Sequence, residues 1–153
     1  MQINNTQLAV LKQFARQLGY QDSDIVDGKG FALAIDDKVQ INILNQEERC
    51  HLIAYLGQVD ESNRLEFYEV LLQANHNQDE LGGASLGICP NKKMVALSMA
   101  LDSEGLDVSQ LQKAFDQLLD KSLFWHRLLQ DYEAEALPDE NMLLSQSQHA
   151  VLA

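Results

Sequence analysis

The sequence predicts an α+β domain ordered α-β-β-β-α-β-β-α, a five-stranded twisted antiparallel sheet with helices packed largely on one face. Three observations carry this prediction. Apolar residues recur at helical spacing in three stretches, around 8–18, 65–74 and 111–132. Five shorter runs alternate apolar and small or polar residues and are bounded by turn residues. The stretch Leu81-Gly82-Gly83-Ala84-Ser85-Leu86-Gly87-Ile88-Cys89-Pro90 joins the two patterns, because a glycine pair ends a helix and swings the chain into a strand.

The elements follow in order. Asn4 or Asn5 caps a helix in which Leu8, Leu11, Ala15 and Leu18 repeat, with Val10 and Phe14 on an adjoining stripe, and Gly19 ends it. Asp27-Gly28-Lys29-Gly30 is a turn. Phe31, Leu33 and Ile35 alternate with Ala32 and Ala34, and a tight connection at Asp36-Asp37 leads into Val39, Ile41 and Ile43, alternating with Gln40 and Asn42. The larger residues face the helices, so Ala32, Ala34, Gln40, Asn42 and Leu44 lie on the other, paler face. Asn45 to Arg49 reads as a polar loop. In Cys50 to Val59 both parities are apolar, Leu52, Ala54 and Leu56 against Ile53, Tyr55 and Val59, so this strand is expected to be covered on both faces.

Asp60 or Ser62 caps a second helix with one stripe at Leu65, Tyr68 and Leu72 and another at Phe67, Val70, Leu71 and Ala74. Gly83 is a corner, after which Ala84, Leu86 and Ile88 share one face of a strand and Ser85, Gly87 and Cys89 the other. Pro90, Asn91 and Lys92 turn the chain into a partner strand with Val95, Leu97, Met99 and Leu101 on one side. Asp107 and Gln110 form a capping box for a last helix through Leu111, Phe115, Leu118, Leu119, Trp125, Leu129 and Tyr132, expected to end near Glu135. Residues 1–135 thus form one domain, and 136–153 a C-terminal tail, mobile or loosely docked.

At 153 residues and 46% hydrophobic content the chain buries a real core without disulfide staples. Cys50 and Cys89 have no paired spacing, which favours reduced, cytosolic thiols over a disulfide framework or a zinc knuckle. No window approaches a membrane span, and Met1 to Thr6 lacks the basic-then-apolar pattern of an export signal. A net charge of −12 repels nucleic acid and anionic lipid; it keeps a small domain soluble and attracts a basic or aggregation-prone polypeptide.

One enzymatic motif is present. Gly83-Ala84-Ser85-Leu86-Gly87 matches G-x-S-x-G, with Asp102 and His126 following in hydrolase order, so a small serine hydrolase using Ser85 is the rival reading. That motif demands a strand before the serine and a helix after it, and here the order is reversed, so no catalytic residue is assigned. His51, His76, His126 and His149 lack ligand spacing, and neither a metal nor a cofactor is assigned. Trp125 reads as a core anchor.

The element order, together with Leu71, Leu72 and Asn75, then Leu81 to Gly87, then Val95 and Leu97, resembles the Tir chaperone (CesT) family of class I type III secretion chaperones. The resemblance runs from residue 6 to about 134. It implies an acidic homodimer of the bacterial cytoplasm, without enzymatic activity, that holds the N-terminal chaperone-binding segment of a secreted effector in extended form. The secretion ATPase is a further implied partner. Carried onto this chain, the resemblance and the face reading together put the effector on Val10, Phe14, Leu18, Ala32, Ala34, Leu44, Ile53 and Tyr55, and the dimer interface on Phe67, Leu71, Leu72, Leu86 and Ile88. A general protein-interaction module of the same fold is the other alternative.

Overall fold

A computed structural model of the chain describes residues 5–27 and 29–152, with side chains described as far as Tyr132. Its elements are α1 (Asn5–Gln17), β1 (Gly30–Ile35), β2 (Val39–Gln46), β3 (Arg49–Gln58), α2 (Arg64–His76), α3 (Gln78–Leu81), β4 (Ser85–Cys89), β5 (Met94–Asp102) and α4 (Val108–Leu152). The predicted α+β order is present, with the one-turn α3 added after α2. All five strands form one antiparallel sheet in the order β1-β2-β3-β5-β4, so β1 and β4 are its edges.

Turn chemistry sets the register. Asp36 and Asp37 both adopt positive φ, and the Lys38 amide donates to the Ile35 carbonyl at 2.9 Å, the primed hairpin turn that short polar side chains tolerate. Gly82 and Gly83 have φ of 58° and 86°, the left-handed conformation that turns the end of α3 into β4. At the start of α4 the capping box closes as expected: the Gln110 amide donates to Asp107 Oδ1 at 2.7 Å, and the Asp107 amide donates to Gln110 Oε1 at 3.1 Å.

With register fixed, alternation decides burial. Phe31, Leu33, Val39, Ile41, Ile43, Leu52, Ala54, Leu56, Leu86, Val95 and Leu97 are buried, all on the sheet face that α1 and α4 cover. Phe14 of α1 sits at the centre of this layer, fully buried, 6.4 Å from the Phe31 ring and edge-on to Phe115 at 5.4 Å. Trp125 is the expected core anchor. On α2 the buried positions are Phe67 and Leu71. Phe67 meets the Tyr132 ring edge-on at 5.0 Å, and the Asn63 side-chain amide donates to the Tyr132 carbonyl at 3.0 Å, tying the start of α2 to α4.

Four local readings change. Asn45, Gln46 and Arg49 belong to β2 and β3 rather than to a loop, because a turn at Glu47-Glu48, with Glu47 at φ 51°, suffices to reverse the chain. Asn45 is buried there, its side-chain amide donating to the Gln7 carbonyl at 3.4 Å. β3 is covered on one face only: His51, Ile53 and Tyr55 stay half-buried because, among the described residues, no helix packs over them. Neither Asp60 nor Ser62 caps α2; a 3-10 turn at Glu61–Asn63 intervenes, and the Ser62 hydroxyl donates to Asp60 instead. Finally α4 is helical to Leu152, past the expected end near Glu135, because Leu, Met, Gln, Glu and Ala dominate the added stretch and outweigh Pro138. The Asn4 cap, the Gly28 turn position and the docking of side chains in the 136–153 tail lie outside the described residues.

Candidate functional site

The sheet face opposite the helices is the first candidate surface, and cross-strand register lays it out in rows. One row runs Ala32, Asn42, Ile53, Ser98, Ser85; the next runs Ala34, Gln40, Tyr55, Ala96, Gly87. Leu44 pairs with His51 beside them. Small residues thus surround two larger apolar ones, Ile53 and Tyr55, producing shallow ground with an apolar centre. The Lys92 ammonium lies 4.8 Å from the centre of the Tyr55 ring, a cation–π contact at the margin. Gln40 and Asn42 bond to each other at 2.9 Å on the same face.

Of the residues assigned to client binding, Ala32, Ala34, Leu44, Ile53 and Tyr55 do come together on this open face, the alanines exposed and the others half-buried. Val10 and Leu18 do not join them. Val10 on α1 and Leu18 in the turn just after it sit half-buried on the helix side of the sheet, packed against the core. Phe14 is corrected: at 0% exposure it is core and unavailable to a ligand. Helical periodicity alone misplaced it, since α1 buries the stripe Leu11, Phe14 and Ala15 rather than its outer flank.

Edge strands complete the geometry. Just before β1 the Lys29 carbonyl accepts from the Asn45 amide on the β2 side, whereas the Gly30 carbonyl at its start accepts from the Val26 amide on the outer side. Alternation then turns the backbone groups of Ala32 and Ala34 outward, away from β2. At the other edge Asn75 of α2 reaches β4. Its Nδ2 donates to the Leu86 carbonyl and its Oδ1 accepts from the Leu86 amide, both at 2.8 Å.

A second surface lies on α2. Leu65 and Leu72 are 87% and 72% exposed, with half-buried Tyr68 between them on the same stripe. Among the residues assigned to dimerisation, Leu72 is therefore accessible and Ile88 partly so, but Phe67, Leu71 and Leu86 are corrected to core positions. The expected interface drew on both stripes of α2: the 67–71 stripe packs inward, and Leu65 was the missed residue, legible as part of the Leu65, Tyr68, Leu72 spacing. Leu123 and Phe124 of α4 are further exposed apolar residues the pattern did not single out.

Hydrolase geometry is absent among the described residues. Ser85 is exposed on the open face, paired with Ser98, whereas His126 lies on α4 across the sheet with Nδ1 2.9 Å from the Leu56 carbonyl. Asp102 is four residues beyond Ser98 along β5, about 13 Å away at the usual strand rise. Neither His126 nor Asp102 is placed to act as a base on the serine. Among the described residues, no helix is long and apolar enough to cross a membrane, and no group of three or more His, Cys, Asp or Glu side chains could hold a metal ion.

The sheet thus has one helix-covered face and one open face. Residues 9–126 match the family model of the Tir chaperone protein (CesT) family, and the chain belongs to that family. Solved structures agree in fold. A chain of the ExsC–ExsE complex superposes with a TM-score of 0.70 at 21% identity, covering 84% of this chain and 97% of that one. A chain of the HopA1–SchA chaperone–effector complex gives a TM-score of 0.66 at 21% identity, over 82% and 99%. One from the heterodimeric ExoU–SpcU complex of the Pseudomonas aeruginosa type III secretion system gives 0.61 at 18%, over 78% and 97%. Among curated proteins none matches the sequence.

Proposed function

We propose that this chain is a type III secretion chaperone of the bacterial cytoplasm that holds the N-terminal segment of a secreted effector in extended form, keeping it soluble and secretion-competent. One observation carries the reading: a helix-free sheet face centred on Ile53 and Tyr55 runs out to the β1 edge, where Ala32 and Ala34 turn their backbone groups outward. An extended polypeptide gains main-chain hydrogen bonds at such an edge whatever its sequence, and its side chains settle on the shallow apolar ground. Val10 and Leu18 lie over the opposite face of the sheet, so a client that reaches them crosses the β1 edge. The net charge of −12 favours basic clients and opposes nucleic acid.

The working unit is a homodimer formed through Leu65, Tyr68, Leu72 and Ile88, because two leucines this exposed on one stripe call for a cover. The secretion ATPase is a further partner. The protein performs no catalysis, and Ser85→Ala retains full function. The test is copurification from the native cell with mass spectrometry of the bound polypeptide. A secreted protein captured through its N-terminal segment supports the reading; a protein that emerges with no bound polypeptide, or with an esterase activity that Ser85→Ala abolishes, overturns it.

A further inference from the structure

We propose that the Asn75 carboxamide acts as a surrogate strand, one rung long, that closes the β4 edge of the sheet to extended polypeptides. The inference rests on the reading that this protein binds such polypeptides, and it concerns which edge they are denied. An exposed sheet edge is a template for any unpaired strand, so a protein that handles extended chains needs one edge shut. The outward row along β4, Ala84, Leu86 and Ile88, is taken at its first two positions and open at the third. The Ala84 amide donates to the Leu81 carbonyl at 3.1 Å. Leu86 has both its amide and its carbonyl taken by Asn75 at 2.8 Å. Since Leu86 turns its backbone bonds toward α2, the alternate residue Ile88 is the one outward rung that remains, and Pro90 follows with no amide to offer.

The match is chemical as well as geometric. A carboxamide presents one donor and one acceptor in a plane, the same pair a facing backbone unit presents across an antiparallel rung. Aspartate at this position lacks the donor, and glutamine carries the same group one methylene farther from the α2 backbone. Asn75 also sits near the C-terminal end of α2, one heptad beyond Tyr68, so the same helix that carries the Leu65 and Leu72 stripe holds the seal in place. At the β1 edge, by contrast, Gly30 alone is taken among the described residues, by Val26, and Ala32 and Ala34 face outward.

The experiment replaces Asn75 with leucine, close in size but without the two bonds, and reads the Leu86 amide by hydrogen exchange and the particle mass by light scattering over a hundredfold concentration range. The expected result is Leu86 exchange accelerated at least tenfold, with concentration-dependent assemblies larger than the parent's, while circular dichroism stays unchanged. Asn75→Ala serves if the leucine variant does not fold. Unchanged Leu86 exchange, or an unchanged mass series in a folded variant, overturns the proposal. None of these readouts uses a client, so the result stands apart from whether the chaperone reading holds.

Discussion

Phe14 and Cys50 show how burial, rather than residue type, decides what a side chain does here. Phe14 is wedged between the Phe31 and Phe115 rings with no exposed surface. Phe14→Ala removes a filled site from a packed layer and lowers stability by about 3–5 kcal/mol, read as a shifted urea midpoint with an unchanged slope. A loss of client binding in that variant therefore reports unfolding, not a lost contact. Cys50 is 1% exposed on β3, and burial pushes its thiol up to about 11 from an ordinary 9.0. The folded state then keeps a proton that the unfolded state releases between those values, so the stability is fully present below pH 9 and fades as pH rises toward 11. The full contribution is roughly 2–3 kcal/mol at 1.36 kcal/mol per unit. Thermal melts of the parent and of Cys50→Ala at pH 8 and pH 10.5 check it: the parent loses the greater share. Equal losses would point to other titrating groups. At this scale the sequence revealed which residues are apolar but not which of two apolar stripes turns inward, since Phe67 and Leu72 differ only in phase.

Elements were read more surely, because their signals are local. The Asp107 and Gln110 capping box required only a spacing of three, and both of its hydrogen bonds are present. Asp107→Ala removes the acceptor for the Gln110 amide and costs about 1 kcal/mol, seen as a few degrees in melting temperature; Asp107→Asn recovers most of it. The primed turn at Asp36-Asp37 and the corner at Gly82-Gly83 were legible for the same reason: positive φ selects few residue types. What failed was non-local. Two apolar parities in β3 suggested cover on both sides, yet α1 and α4 lie on one face and α2 runs along the β4 edge, joined to it through Asn75. No property of Ile53 or Tyr55 encodes the absence of a helix above them. The beginning of α2 likewise depends on Asn63 spending its amide on the Tyr132 carbonyl, a partner 69 positions away.

Taken whole, the molecule separates its two outward surfaces, and that separation lets them be tested independently. Leu65 and Leu72 lie on α2 and are already exposed, so with the proposed homodimer formed there Leu72→Asp leaves the fold intact and halves the particle mass; a mass equal to the parent's removes this stripe from the proposed interface. Ile53 and Tyr55 lie on β3, at the middle of the open face. A carboxylate at 53 sits half-buried among Asn42 and Ser98, which accept it without a gap in the core, because the buried parity of β3 is Leu52, Ala54 and Leu56. It adds a further negative charge to a surface whose net charge is already −12, and any apolar client side chain must then pack against an ion it cannot pair. Ile53→Asp therefore weakens client retention at least tenfold in competition against the parent, with circular dichroism and particle mass unchanged. Replacing Gln117, exposed on α4 on the other side of the sheet, by glutamate adds the same charge away from the Ile53 and Tyr55 centre, and retains the client. Equal losses in both variants would make the effect one of charge alone, and equal retention in both would remove the open face from the binding site.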